Sequence, residues 1–221
     1  MNTVFTKTYA EPEYNTKEIL RYSASDISSD EIKDYARKCI DEARSDLIYK
    51  VCYMETDVAI RGNTVDFGLF KAESKNLSYT LRNSHRAIIF CATVGIKLDR
   101  LIAKYMKSDV AKAFMLQAIG TERCESLCDT FINDMKNQYK DKDIFFTPRF
   151  SPGYGDLKID TQKDIFGILD LPRKIGVTLN DSLIISPSKS VTAIVGLSET
   201  DCGYSLNKCK NCNIKECTFR Q

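Results

Sequence analysis

Two rhythms of hydrophobic and polar positions alternate along the chain, one of helical period and one of short apolar runs that suit strands. Residues up to about Thr16 are polar and read as a loose opening segment. TKEILRYS then predicts a short helix. Ser29 caps a clearer one, in which Ile32, Ala36, Cys39, Ile40, Ala43 and Leu47 recur at helical spacing. Cys39 lies inside that stripe and reads as a small buried hydrophobe. IYKVCYMET and VAIRGNTVDFG are rich in β-branched and aromatic residues, with a turn between strands at Arg61-Gly62-Asn63. ESKNLSYTLRNS predicts a helix. RAIIFCATVG is the strongest strand, and its near-continuous apolar run predicts a central one that Gly95 ends. Helix IKLDRLIAKYM follows.

From Ser108 to Tyr139 the pattern predicts one long helix or two stacked ones. Cys124, Leu127, Cys128, Phe131 and Met135 form its core stripe, and Gly120 marks either a close approach or a kink. Glu122, Glu125 and Asp129 fall on an adjacent stripe, which reads as a solvated face or as one carboxylate turned toward a ligand. DIFFTPRF predicts a strand and SPGYGDLKID a loop. TQKDIFGILD predicts a helix with Ile165, Ile168 and Leu169 inward. KIGVTLNDSLIISPSKSVTAIVGL predicts two strands around a turn at Pro187. The tail, residues 201–221, has few large apolar residues and cannot build a core of its own.

Composition narrows the chemistry. A length of 221 residues with 43% hydrophobic and 28% charged residues suits one globular domain. The net charge of +2 is too small to argue for a nucleic-acid partner. No apolar run reaches the roughly 18 residues of a membrane span, and the opening residues carry no hydrophobic signal, so a cytoplasmic protein is expected. There is one histidine, His85, which excludes a three-histidine zinc site or a two-histidine iron site and leaves no catalytic base for a serine or cysteine nucleophile. Neither a P-loop nor a GxGxxG turn is present. CxxxC at Cys124 and Cys128 lacks the third cysteine of a radical-cluster motif, since Phe131 stands there.

Two features remain. Arg149-Phe150-Ser151-Pro152-Gly153-Tyr154-Gly155-Asp156 leaves a strand end, a common place for a ligand loop. Gly153 and Gly155 permit close backbone approach, Pro152 stiffens the loop, Arg149 offers a planar fork to a carboxylate or phosphate, and Tyr154 adds a ring face and a hydroxyl. The set suits a small molecule with one anionic and one flat end; a Pro-Gly turn beside a surface arginine is the plainer alternative. The second feature is Cys202, Cys209, Cys212 and Cys217, four thiols that can close a tetrahedral zinc or iron-sulfur site or remain reduced in a mobile tail.

At these residues the chain resembles the AdoMet-binding reactivation domain of cobalamin-dependent methionine synthase. TPRFSPGYGD, IGVTLNDSLIISPSKSVTAIVGL, EILRYSASD, AIIFCATVG and the helix ending ERCESLCD carry the likeness, over about residues 15–221. The free-standing form, found beside synthases that lack the domain, is the most similar. The resemblance implies a single α/β (α+β) domain with a curved, mainly antiparallel sheet flanked by helices. Its bounds would be residues 16–200, between a loose segment at 1–15 and the Cys-rich tail at 201–221. Arg149 would hold the AdoMet carboxylate, the Ser151 backbone would meet the adenine end, and Gly153 and Tyr154 would belong to the loop. Glu125 would stand near the ligand, where its carboxylate suits the positive sulfonium. The late Tyr-Tyr strand of the fused synthases has no counterpart here, nor does their early ligand aspartate.

The function so implied is AdoMet binding and reductive methylation of cob(II)alamin on a separate methionine synthase chain. An external flavodoxin-like or ferredoxin-like reductant would serve it. Two alternatives stand beside this. One is a zinc or iron-sulfur redox or scaffold subunit of a corrinoid methyltransferase complex. The other is an interaction subunit with no small ligand.

Overall fold

A computed structural model describes residues 3–200. In chain order its elements are β1 (Val4–Thr8), α1 (Thr16–Tyr22), α2 (Asp30–Ala43), β2 (Lys50–Asp57), β3 (Ala59–Arg61), β4 (Thr64–Asp66), β5 (Lys71–Glu73), α3 (Lys75–Leu81), β6 (Ser84–Thr93), α4 (Ile96–Tyr105), α5 (Val110–Gln138), β7 (Phe145–Phe146), α6 (Thr161–Leu169), α7 (Leu171–Ile175), β8 (Thr178–Leu179), β9 (Ile185–Ser186) and β10 (Ser190–Ser198). The main sheet has the order β1-β2-β6-β10-β7, and all its pairings are antiparallel. β3-β4-β5 and β8-β9 form two smaller sheets.

The apolar run of β6 is continuous because both faces of its strand are covered. Ile88, Phe90 and Ala92 meet α1, α2, α4 and α5 on one face. Ala87, Ile89 and Cys91 meet the small β3-β4-β5 sheet and α3, α6 and α7 on the other. Side chains alternate faces along a strand, so a central strand between two layers needs apolar residues at every position. Antiparallel strands between helices match the expected fold class.

α5 is a single helix of 29 residues, capped by Asp109, whose side chain accepts from Lys112 N–H at 3.0 Å. Its core stripe, Cys124, Leu127, Cys128, Phe131 and Met135, is buried as its spacing requires. Gly120 marks close approach rather than a kink: a Cβ there would lie 2.5 Å from Leu98 Cδ2 and 2.9 Å from Lys189 Cγ.

One expectation is corrected. Residues 1–15 are not a loose segment as far as they are described. Val4–Thr8 pairs with β2 as an edge strand, from Val4 opposite Met54 to Thr8 opposite Lys50. The run is too polar to stand out in the sequence because an edge strand presents most of its length to water; only Val4 and Lys7 are half-buried. Pro187 lies between two strands, as expected, and those strands belong to different sheets. β9 before it pairs with β8, while β10 after it enters the main sheet beside β6.

The N-terminal segment is also held by a buried charge pair on α5. Arg123 is fully buried and donates to Glu122 through Nε at 2.6 Å and Nη2 at 2.7 Å. It donates further to the carbonyls of Pro12 and Glu13 at 2.5 and 2.6 Å, and its guanidinium lies 3.6 Å from the Tyr14 ring centroid. Glu122 accepts in turn from Asn15 N–H at 3.1 Å and from the Ser126 hydroxyl at 2.6 Å. Glu122 is thus no part of a solvated face. Removing one member of such a pair leaves the other charge buried without compensation, at a cost of roughly 3–5 kcal/mol. We expect Arg123→Ala to lower the unfolding free energy by about that amount in urea titrations at pH 7, and to loosen residues 12–15 in hydrogen exchange.

Candidate functional site

The chain leaving β7 runs along the outer edge of β10. Thr147 N–H donates to Gly196 O at 3.0 Å, and Phe150 and Ile194 exchange both backbone hydrogen bonds at 2.9 and 2.8 Å. Continuing that register would set Pro152 opposite Thr192. Proline has no N–H, so the ladder stops there. Strand alternation points the backbone N–H and C=O of Thr192 the same way as those of Ile194. No strand among the described residues pairs with positions 190–192 on that side.

A cleft of about 300 Å³ lies along this open edge. Arg149 and Glu125 line it on the α5 side of the sheet, Gln162 and Ile185 on the α6 side, and Ser190, Val191 and Thr192 between them. Ser151, Pro152 and Tyr154 complete the wall. Tyr154 is 69% exposed.

Arg149 is half-buried. Its Nη2 donates to Glu125 Oε2 at 2.8 Å and lies 3.2 Å from Asp129 Oδ1. Its Nε and Nη1 have no partner among the described residues. Two carboxylates therefore orient the guanidinium and leave part of its fork toward the cleft. Partial desolvation raises the Asp129 carboxyl above its ordinary value; Arg149 opposes the shift and Glu125 adds to it. A second hollow, of about 350 Å³, shares Arg149 and Glu125 and is lined further by Glu18, Tyr22, Glu122 and Asp129. Arg21 lines it too, and its carboxylates are already paired: Glu18 with Arg21, Glu122 with Arg123, and Glu125 and Asp129 with Arg149.

The loop keeps its shape through its own hydrogen bonds and one clamp. Tyr154 N–H donates to Ser151 O at 3.1 Å, Leu157 N–H to Tyr154 O at 3.0 Å, and Gly153 N–H to Leu157 O at 2.9 Å. Gly153 and Gly155 sit at φ +88° and +56°, where a Cβ is strained, and a Cβ on Gly155 would lie 2.4 Å from Asn76 Nδ2. Asp156 accepts from Lys75 N–H at 2.8 Å, from Asn76 N–H at 3.2 Å and from the Ser74 hydroxyl, so it ties the loop to the start of α3. The Ser74 hydrogen bond, joined by those two amides, holds the Asp156 carboxyl below its ordinary value.

Arg149, Ser151, Tyr154 and Glu125 thus meet around one cleft, with Gly153 in the turn behind it. Cys202, Cys209, Cys212 and Cys217 lie outside the described residues. The other five cysteines are buried and free, and no group of three metal-ligating side chains occurs among the described residues. His85 lies exposed on β6, away from the cleft. No described helix is long and apolar enough to cross a membrane.

The sequence reading overlooked the Asp156 clamp, the open edge at Thr192, and Gln162. Pro152 was the available signal for the open edge, because a proline ends a ladder wherever its N–H is needed.

Residues 81–221 match the family model described as "Vitamin B12 dependent methionine synthase, activation domain", which is more than half of the chain. The chain belongs to this family. The fold is also similar to that of a solved structure, described as a crystal structure of the MetH reactivation domain bound to AdoHcy. That structure matches with a TM-score of 0.65 at 13% identity, over 92% of this chain and 80% of that one. At such identity the likeness is one of fold. No curated protein sequence matches the chain.

Asp156 makes a testable link between loop order and pH. Its carboxyl is depressed in the folded state, so its contribution is complete above the ordinary value of 3.8 and is lost as pH falls through the lower folded value. We expect Asp156→Ala to cut the hydrogen-exchange protection of residues 153–157 at least about tenfold at pH 7. The wild-type loop should keep its protection down to pH 3.8 and lose it only below.

Proposed function

We propose that the cleft along the β10 edge binds S-adenosylmethionine, and that the protein supports reductive methylation of cob(II)alamin carried on a separate methionine synthase chain. The observation that carries the reading is Arg149: a half-buried guanidinium, oriented by Glu125 and Asp129, with Nε and Nη1 unpartnered among the described residues at one end of a cleft. A planar fork of this kind suits the amino-acid carboxylate of the ligand. The cleft volume of about 300 Å³ falls at the lower end of the range for small-molecule sites.

In this reading Arg149 takes the carboxylate, and Glu125 answers the positive charge of the ligand. The Ser151 backbone and the Tyr154 ring meet the flat adenine end. Gly153 lets the loop backbone turn close to the ligand. Bound AdoMet supplies a methyl group on a positive sulfonium. An external flavodoxin-like or ferredoxin-like reductant supplies one electron, and S-adenosylhomocysteine remains once the methyl group has passed to the reduced cobalt.

What this chain contributes is position. It holds the ligand on an open edge, where a cobalamin-carrying partner can approach the methyl group. Placing two reactants in line lowers the barrier without an acid–base pair. The carboxylates beside Arg149 serve binding and orientation, and no proton transfer is assigned to them.

Calorimetric titration with AdoMet tests the reading. Wild type should bind, and Arg149→Ala should bind at least about tenfold more weakly, a loss of ~1.4 kcal/mol. Equal affinity in the two proteins would remove Arg149 from the site. An absence of binding by the wild type at millimolar AdoMet would overturn AdoMet recognition by this chain alone.

A further inference from the structure

Gln162 occupies the first turn of α6 and is 7% exposed. Its side-chain carbonyl Oε1 is buried and has no hydrogen-bond partner among the described residues. Two other buried side-chain oxygens among the described residues share that condition, those of Tyr49 and Ser84, and neither residue lines the cleft. Gln162 does. A buried acceptor without a donor is costly and rare in a folded protein, and a carboxamide on the wall of a cleft can turn to meet a donor that arrives with the ligand.

The topology says which end of the ligand arrives there. Arg149 and Glu125 mark the charged end of the cleft on the α5 side of the sheet. Gln162 stands on the α6 side, and Ile185 of β9 is its neighbour along that wall. The β10 edge separates the two ends. A ligand whose carboxylate lies on Arg149 and which spans that edge presents its far, uncharged end to Gln162. A carboxamide carries an acceptor and a donor side by side, which is the complement of an aminopurine edge.

We propose that Gln162 is the specificity-determining residue for the base, with its carboxamide hydrogen-bonded to the 6-amino group and the adjacent ring nitrogen of adenine. The proposal rests on the AdoMet reading above and names the part of the ligand that the α6 side selects.

The test uses the complete chain and two ligands, S-adenosylhomocysteine and its analogue in which unsubstituted purine replaces adenine. Calorimetry gives a preference ratio for each protein. Wild type should prefer the adenine ligand by about tenfold or more, as expected for one buried polar group left unpaired. Gln162→Met, close in shape but without hydrogen-bonding groups, should bind both ligands with the weaker affinity and show no preference. Arg149→Ala should weaken both by the same factor and keep the preference, because it acts at the other end.

A Met variant that retains the wild-type preference overturns the assignment, as does a wild type that does not distinguish the two ligands; the latter needs no variant. If wild type binds with an Arg149 dependence but without preference, the Gln162 assignment alone fails. If wild type binds neither ligand, the AdoMet reading fails with it.

Discussion

The missing N–H of Pro152 shapes the site more than any single side chain does. Up to Phe150 the chain follows β10 as a narrow ribbon and exchanges both backbone bonds with Ile194. One pair further the ladder would need a donor that proline lacks. The chain leaves the sheet, the edge beside residues 190–192 stays open among the described residues, and the space between becomes the cleft. Gly153 and Gly155 then turn the departing chain, and Asp156 fixes it against α3. Edges of this kind are usually hidden because unpaired backbone groups attract other strands. Here a short loop rigidly fixed a few residues away keeps one open.

The rest of the fold supplies what that edge alone could not, two walls of different character. The sheet is covered on both faces, so whatever lies at its edge meets one helical layer on each side. α5 brings carboxylates, which hold Arg149, while α6 brings a neutral carboxamide and an apolar neighbour from β9. The buried Glu122–Arg123 pair adds to the first wall indirectly. It secures residues 12–15, and these lead into α1, whose Glu18 and Tyr22 face Glu125 and Asp129 across the second hollow.

Much of this was legible where local pattern and tertiary packing agree. The helical stripe from Ile32 to Ala43, the Ser29 cap, the apolar run of β6 and the loop of Arg149 and Tyr154 all announce themselves, because burial on one or both faces imposes a period. β1 did not, since a solvated edge strand needs few apolar residues. Glu122 looked like one member of a charged stripe, yet its position beside Arg123 held the clue. Arg123 falls on the inward face of α5, seven residues after Leu116 and four before Leu127, where only a fully partnered charge is tolerated. Gln162 and the Asp156 clamp were illegible for a different reason. Their roles depend on partners or cleft walls far away in the chain, such as Ser74 and Ser190, and no local spacing reports that.

The central claim is that one ligand lies along the open β10 edge and reaches both helical layers. Amide chemical-shift mapping with S-adenosylmethionine tests it most directly. The account predicts that shifts concentrate in residues 151–155 and 190–192, with smaller ones around Glu125 and Gln162. Shifts confined to the second hollow beside Tyr22, or to the hollow that Ile60, Lys75 and Tyr79 line, would contradict it.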